Sequence, residues 1–146
     1  MKGRLAKGLN AVINYAYTDS KISADEMKPE NIGMATPNRV KHIHNTWLNY
    51  LLPIERLKGF TVSFGYQMLA GRTERFTSTN PVALKDIFRL DAGAGWNNDK
   101  YRLNLIVNNL LNEKMYSTAW RNGSGNMYYW VQMAPIHARL SLGINL

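Results

Sequence analysis

Residues 60–70 read Phe60-Thr61-Val62-Ser63-Phe64-Gly65-Tyr66-Gln67-Met68-Leu69-Ala70. The even positions are apolar, and the odd ones are polar or small except for Leu69. Side chains alternate between the two faces of a strand, so this stretch has one greasy face and one wet face. It also covers about the 9–11 residues that a tilted strand needs to cross a bilayer, whereas soluble strands are usually nearer 5–6.

The same period of two recurs outward from this stretch. In 9–18, Leu9, Ala11, Ile13, Tyr15 and Tyr17 oppose Asn10, Asn14 and Thr18. In 87–96, Phe88, Leu90, Ala92, Ala94 and Trp96 oppose Arg89, Asp91, Gly93 and Gly95. In 101–108, Tyr101, Leu103, Leu105 and Val107 oppose Arg102, Asn104 and Asn108. In 136–146, Ile136, Ala138, Leu140, Leu142, Ile144 and Leu146 oppose His137, Arg139, Ser141, Gly143 and Asn145. Stretch 40–51 is a strand whose facing the pattern leaves open. Six antiparallel strands are expected.

A soluble sandwich also alternates, so the connections decide between the two. Segments 19–37, 72–84 and 115–133 are long and polar. Segment 52–58 is short, and 97–100 is a tight turn with Asn97-Asn98-Asp99 chemistry. Long loops at one end and short turns at the other are the pattern of an up-and-down transmembrane β-barrel. With the long loops outside, the last strand runs inward and ends on Leu140, Leu142, Ile144 and Leu146. That alternation resembles the C-terminal signal read by the barrel-assembly machinery, although the usual last residue is aromatic.

Composition agrees with a membrane wall. The chain has 146 residues, with 4 Trp, 8 Tyr and 4 Phe, and Trp and Tyr suit wet–apolar boundaries. The absence of Cys excludes disulfides, thiolate metal sites and cysteine nucleophiles. No run approaches the roughly 18 apolar residues of a transmembrane helix. The start, Met1 to Gly8, is basic with no apolar stretch behind it, so it is not an export signal. The chain is therefore expected to be a piece of a longer outer-membrane protein.

At this point a family is visible. Stretch 101–116, with Asn104, Asn108, Asn109, Leu110, Leu111, Asn112, Glu113, Lys114 and Tyr116, resembles the penultimate strand of TonB-dependent outer-membrane receptors. Residues 36–50, from Thr36-Pro37 through Trp47-Leu48-Asn49-Tyr50, resemble an earlier strand of that family. Leu90-Asp91-Ala92-Gly93-Ala94 with Trp96 resembles a third. The resemblance runs from about Gly8 to Leu146. It implies that residues 1–146 are the C-terminal part of a 22-stranded barrel, with the plug domain and signal peptide lying outside the chain. It further implies import of a ferric siderophore or a similar scarce ligand, with energy from TonB acting through the plug, and it is nearest in flavour to hydroxamate-siderophore receptors. Outer-membrane lipid and the barrel-assembly machinery are the implied partners, and the bacterial outer membrane is the location.

Candidate ligand contacts follow from residue type. Trp120, Arg121, Tyr128, Tyr129 and Trp130 sit in the last long loop, where stacking and positive charge suit an anionic, ring-bearing or metal-chelate ligand. For Tyr128, Tyr129 and Trp130 an outer aromatic girdle is the favoured reading, which leaves Trp120 and Arg121 the better ligand candidates. Arg72 and Arg75 are weaker candidates, and Trp96, Tyr101 and Tyr50 are expected in the lower girdle. His42 and His44 share a face at metal-ligand spacing but lack a third ligand, so wall histidines are the simpler reading. His137 reads as a polar residue of the lumen. Asp25, Glu26 and Glu30 read as a solvated loop, without EF-hand spacing. No catalytic grouping, resident cofactor or metal site is expected, so the chain is not read as an enzyme. The competing reading is a soluble all-β binding module for an anionic or nucleic-acid ligand, drawing on the net charge of +8. The basic residues are scattered over loops and turns rather than gathered with the aromatics, which counts against it.

Overall fold

A computed structural model of the chain describes residues 1–75, 82, 84–124 and 127–145. Nine strands appear: β1 (Lys2–Ala6), β2 (Leu9–Tyr17), β3 (Val40–Leu51), β4 (Phe60–Arg72), β5 (Ile87–Asn97), β6 (Tyr101–Asn108), β7 (Tyr116–Arg121), β8 (Tyr128–Gln132) and β9 (His137–Ile144). Seven form one open antiparallel sheet in the order β1-β2-β3-β4-β5-β6-β9, and β7 and β8 pair separately. Two single 3₁₀ turns, Pro29–Asn31 and Glu55–Leu57, are the helical elements among the described residues.

The six expected strands are all present, with ends within two residues of the expected ones. The sheet holds one strand more, β1, whose five residues are too few to display a period. The last long loop is also not irregular: it folds back on itself as the β7–β8 hairpin. Of the residues read as strand end or loop tip, Leu146, Gly125 and Asn126 lie outside the described residues.

Register turns the alternation of single strands into two continuous faces. Phe64 lies opposite Leu48 on one side and Ala92 on the other, and Ala11 and Val107 extend that row. A slip of one residue anywhere would invert a strand, so the shared face fixes the register. It also settles β3. Thr46, Leu48 and Tyr50, with His42 and His44, join the apolar face through Tyr66, Phe64, Val62, Ala70 and Met68. Asn45, Trp47 and Asn49 take the polar face.

Among the described residues, none packs over the middle of the apolar face. Phe64 is 47%, Leu140 66% and Leu142 67% exposed. The polar face is knitted by side chains: Ser63 donates to Asn49 at 2.6 Å, Gln67 donates to Asn45 at 3.0 Å, and Arg89 pairs with Asp91 at 3.0 Å. Trp47 lies over Gly65. A Cβ on Gly65 would fall 2.3 Å from the indole, so only glycine admits the ring.

The short turns close one end of the sheet. Leu51 donates to the Gly8 carbonyl and Asn97 to the Gly59 carbonyl. Gly59 has φ +84°, and a Cβ there would lie 2.1 Å from the Asn97 oxygen. At this end the apolar face carries Tyr50, Trp96 and Tyr101, with Phe60 6.0 Å from Trp96. The long loops meet at the opposite end. Asn38 donates to the Glu74 carbonyl, Thr73 to that of Arg39, and Arg75 to that of Ala119.

Candidate functional site at the long-loop end

The exit from β6 decides where the last loop goes. Asn109 and Asn112 adopt left-handed backbone conformations, with φ 54° and 51°. Asparagine tolerates that region because its short amide bonds to nearby backbone. Asn109 receives the Glu113 N–H at 3.0 Å and donates to the Glu113 and Ala134 carbonyls, while Asn112 receives the Ile136 N–H at 3.0 Å. The two asparagines thus bind both ends of the last loop together, and the β7–β8 hairpin projects from that knot.

Arg72, at the end of β4, fastens the hairpin to its neighbour loop. Its guanidinium donates to the carbonyls of Lys85, Tyr116 and Ser117. All three bonds go to backbone, so Arg72 clasps the hairpin to its neighbour loop. Thr118 reaches across to Asn38 at 3.0 Å, tying in the first long loop.

The five loop candidates lie in the hairpin, on strands rather than in open loop, and its pairing splits them. Trp120 faces Tyr129 across the ladder, stacked at 5.4 Å with the planes 18° apart. The Arg75 guanidinium also sits over the Trp120 ring, 5.1 Å from its centroid. On the other face Arg121 lies 4.7 Å over Tyr128, and Trp130 meets Tyr116 edge-on at 5.2 Å. Cation and π-face are thus combined twice, an arrangement that accepts flat anionic groups. Trp120 and Arg121 point to opposite faces, so they serve different surfaces. Tyr128, Tyr129 and Trp130 stand on the hairpin and not on the sheet's apolar face.

The upper belt of that face is built from other residues, which the sequence did not single out as a group. Tyr15 bonds to His42 Nδ1 at 2.9 Å and Tyr66 to His44 Nδ1 at 2.8 Å. Tyr17 packs on His42 at 5.2 Å, and Phe88 stacks on Tyr66 at 5.4 Å. The histidines are therefore partnered by tyrosines within the wall. The paired spacing of Tyr15/Tyr17 and His42/His44 was the available signal. His137 lies on the polar face, with Nδ1 2.9 Å from the Pro135 carbonyl oxygen.

The acidic segment of the first loop is a local turn. Asp25 accepts the Lys28 N–H at 2.9 Å and the Asn31 amide at 2.7 Å. The Asn31 bond, helped by Lys28, holds its carboxyl below the ordinary aspartate value.

No family model matches the chain, nor does the sequence of any curated protein. Its architecture does match solved structures. The chain aligns over 97% of its length with 20% of the siderophore receptor PiuA of Acinetobacter baumannii, at a TM-score of 0.71 and 21% identity. It aligns over 97% with 19% of the ferric-catecholate import receptor Fiu of E. coli, at a TM-score of 0.72 and 16% identity. The chain thus has the fold of part of a siderophore-receptor structure, and it spans about a fifth of the length of these two receptors.

Proposed function

We propose that the chain is the C-terminal part of the barrel of an outer-membrane receptor that imports a ferric siderophore, or a similar scarce ligand, with TonB-derived energy. One observation carries this reading: a sheet whose apolar face no described residue covers, with the described parts of the long loops meeting at one end, superimposes on two siderophore-related receptors. On this reading the apolar face meets outer-membrane lipid, and the polar face lines the lumen of a 22-stranded barrel. The C-terminal strand engages the barrel-assembly machinery, and TonB acts through a plug outside these residues. The role is transport and not catalysis.

The Arg75–Trp120–Tyr129 cluster and the Arg121–Tyr128 pair are the proposed ligand contacts at the mouth. Trp130 joins them on the Arg121 side. Both are arranged for an anionic chelate whose rings stack and whose charge meets arginine.

The soluble binding-module reading requires the apolar face to be covered, and no described residue covers it. Expressed alone in water, the chain should aggregate or require detergent. A monomeric, cooperatively folding, water-soluble product would sink the membrane reading.

The decisive test uses the receptor that carries this chain. Its disruption should abolish uptake of one class of radiolabelled ferric chelate, and the protein should fractionate with the outer membrane. Trp120→Ala and Arg121→Ala should each weaken binding of that chelate by roughly tenfold, with the receptor still present in the membrane. Unchanged uptake of every ferric chelate after disruption removes the import reading.

A further inference from the structure

The tip of the β7–β8 hairpin carries the one Asn-Gly pair in the sequence, Asn122-Gly123. It lies between the ladder partners Arg121 and Tyr128, outside both strands. Three hydrogen bonds hold Asn122. Its backbone N–H donates to the Met127 carbonyl at 3.0 Å. Its Oδ1 accepts the Met127 N–H at 3.1 Å, and its Nδ2 donates to Ser124 Oγ at 2.8 Å. Gly123, by contrast, is exposed, and a Cβ built on it would meet nothing within 4 Å. Among the described residues its N–H has no acceptor.

An amide in this setting can be attacked by the backbone nitrogen of the next residue. Glycine has no Cβ to shield that nitrogen, and its backbone is free to bring it close. Negative charge then develops on Oδ1, where the Met127 N–H already lies at the distance from which a donor stabilises an oxyanion. Ser124 Oγ lies on the nitrogen that must leave, and a hydroxyl can return a proton to it as well as accept one. Water is the only co-reactant needed. Gly123 N bonds to Asn122 Cγ and gives up its proton, the Cγ–Nδ2 bond breaks, and Nδ2 departs with that third proton as ammonia. Water then opens the five-membered imide at either carbonyl. One opening yields aspartate, and the other yields isoaspartate, with the main chain running through the former side chain.

We propose that Asn122-Gly123 is a self-modifying site, at which Asn122 loses its amide and becomes a carboxylate at the hairpin tip. The proposal stands on the hairpin geometry and is independent of the import reading. Its product places a negative charge one residue from Arg121, whose guanidinium lies 4.7 Å over the Tyr128 ring. Where an anionic ligand rests on that pair, the new charge opposes it.

The full protein carrying this chain is purified in non-ionic detergent, held for days at mildly alkaline pH in oxygen-18 water, and digested for mass spectrometry. The peptide containing residue 122 should gain the mass of an amide-to-acid conversion with one heavy oxygen, before any other asparagine of the chain converts. The product should be a mixture of aspartate and isoaspartate. Gly123→Ala, which the open space around Gly123 accommodates, should slow the conversion by roughly tenfold with an unchanged β-sheet circular dichroism. Asn122 that stays an amide in the folded protein overturns the proposal, and its conversion in the urea-unfolded protein would show that the fold protects it. Conversion of Gly123→Ala at the parent's rate, or a product that is aspartate alone, overturns it too, because neither fits passage through the imide.

Discussion

The buried carboxylate of Asp91 accepts the backbone N–H of Asn109 at 2.9 Å. It does so while paired with Arg89 two residues earlier on the same polar face. Asn109 is only 1% exposed and sits in a left-handed conformation at the end of β6. One carboxylate thus anchors both an ion pair on the polar face and the turn from which the last loop departs. Asp91→Ala should leave a buried N–H and a guanidinium without partners, at a cost of about 2–4 kcal/mol. Guanidinium unfolding of the receptor in detergent should show it. A change under about 0.5 kcal/mol, the level of an unremarkable surface substitution, would remove Asp91 from this role.

The two faces of the sheet should tolerate charge very differently. Phe64 and Ser63 are neighbours in β4 that point to opposite faces. At mid-depth on a lipid face an arginine costs about 2–4 kcal/mol. Phe64→Arg should therefore sharply reduce folding into lipid vesicles. Ser63→Arg should lose only the bond to Asn49, about 1 kcal/mol. Folding yields that rank the two variants the other way would exchange the faces.

Trp47 needs the bare backbone of Gly65. Gly65→Val puts a side chain where the indole rests and should cost about 1–3 kcal/mol by overpacking. The near-ultraviolet circular dichroism of the tryptophans should change at the same time. An unchanged spectrum would mean that the ring does not lie there.

Arg72 holds the hairpin through three backbone carbonyls. Arg72→Ala should leave the sheet intact but loosen β7 and β8, at about 2–3 kcal/mol of local stability. Hydrogen exchange in 116–132 should accelerate while that of β3 and β4 stays constant. Uniform acceleration across the sheet would argue against a local clasp.

The first loop should respond to acid. Asp25 is held below the ordinary aspartate value by Asn31 and Lys28. A lowered folded pKa gives order that is fully present above the unfolded value and is lost as pH falls through the folded one. Exchange of the Lys28 amide, which donates to Asp25, should therefore speed up at acid pH, below the ordinary aspartate range. Asp25→Asn should show no such step. The group is surface-exposed, so the effect stays within the loop.

Alternation alone made six strands, the apolar face and the one-sided loops legible. Each is a local property: side-chain direction repeats every two residues along a single strand, and loop length is simply counted. The resemblance of 101–116 to a receptor strand was legible for a related reason, because left-handed turns at Asn109 and Asn112 demand asparagine in the chain itself. The facing of β3 was not, since His42, Trp47 and Leu48 spread bulky groups over both sides, and only pairing with Tyr15 and Tyr66 at one end and Gly65 in the middle selects one. β1 was too short to show a period. The cleft beside Phe88 and Trp130 and the Arg75–Trp120–Tyr129 cluster belong wholly to the tertiary structure. Their members come from separate loops, and what joins them is the folding back of the last loop as a hairpin, held by Arg72 from a strand more than forty residues earlier.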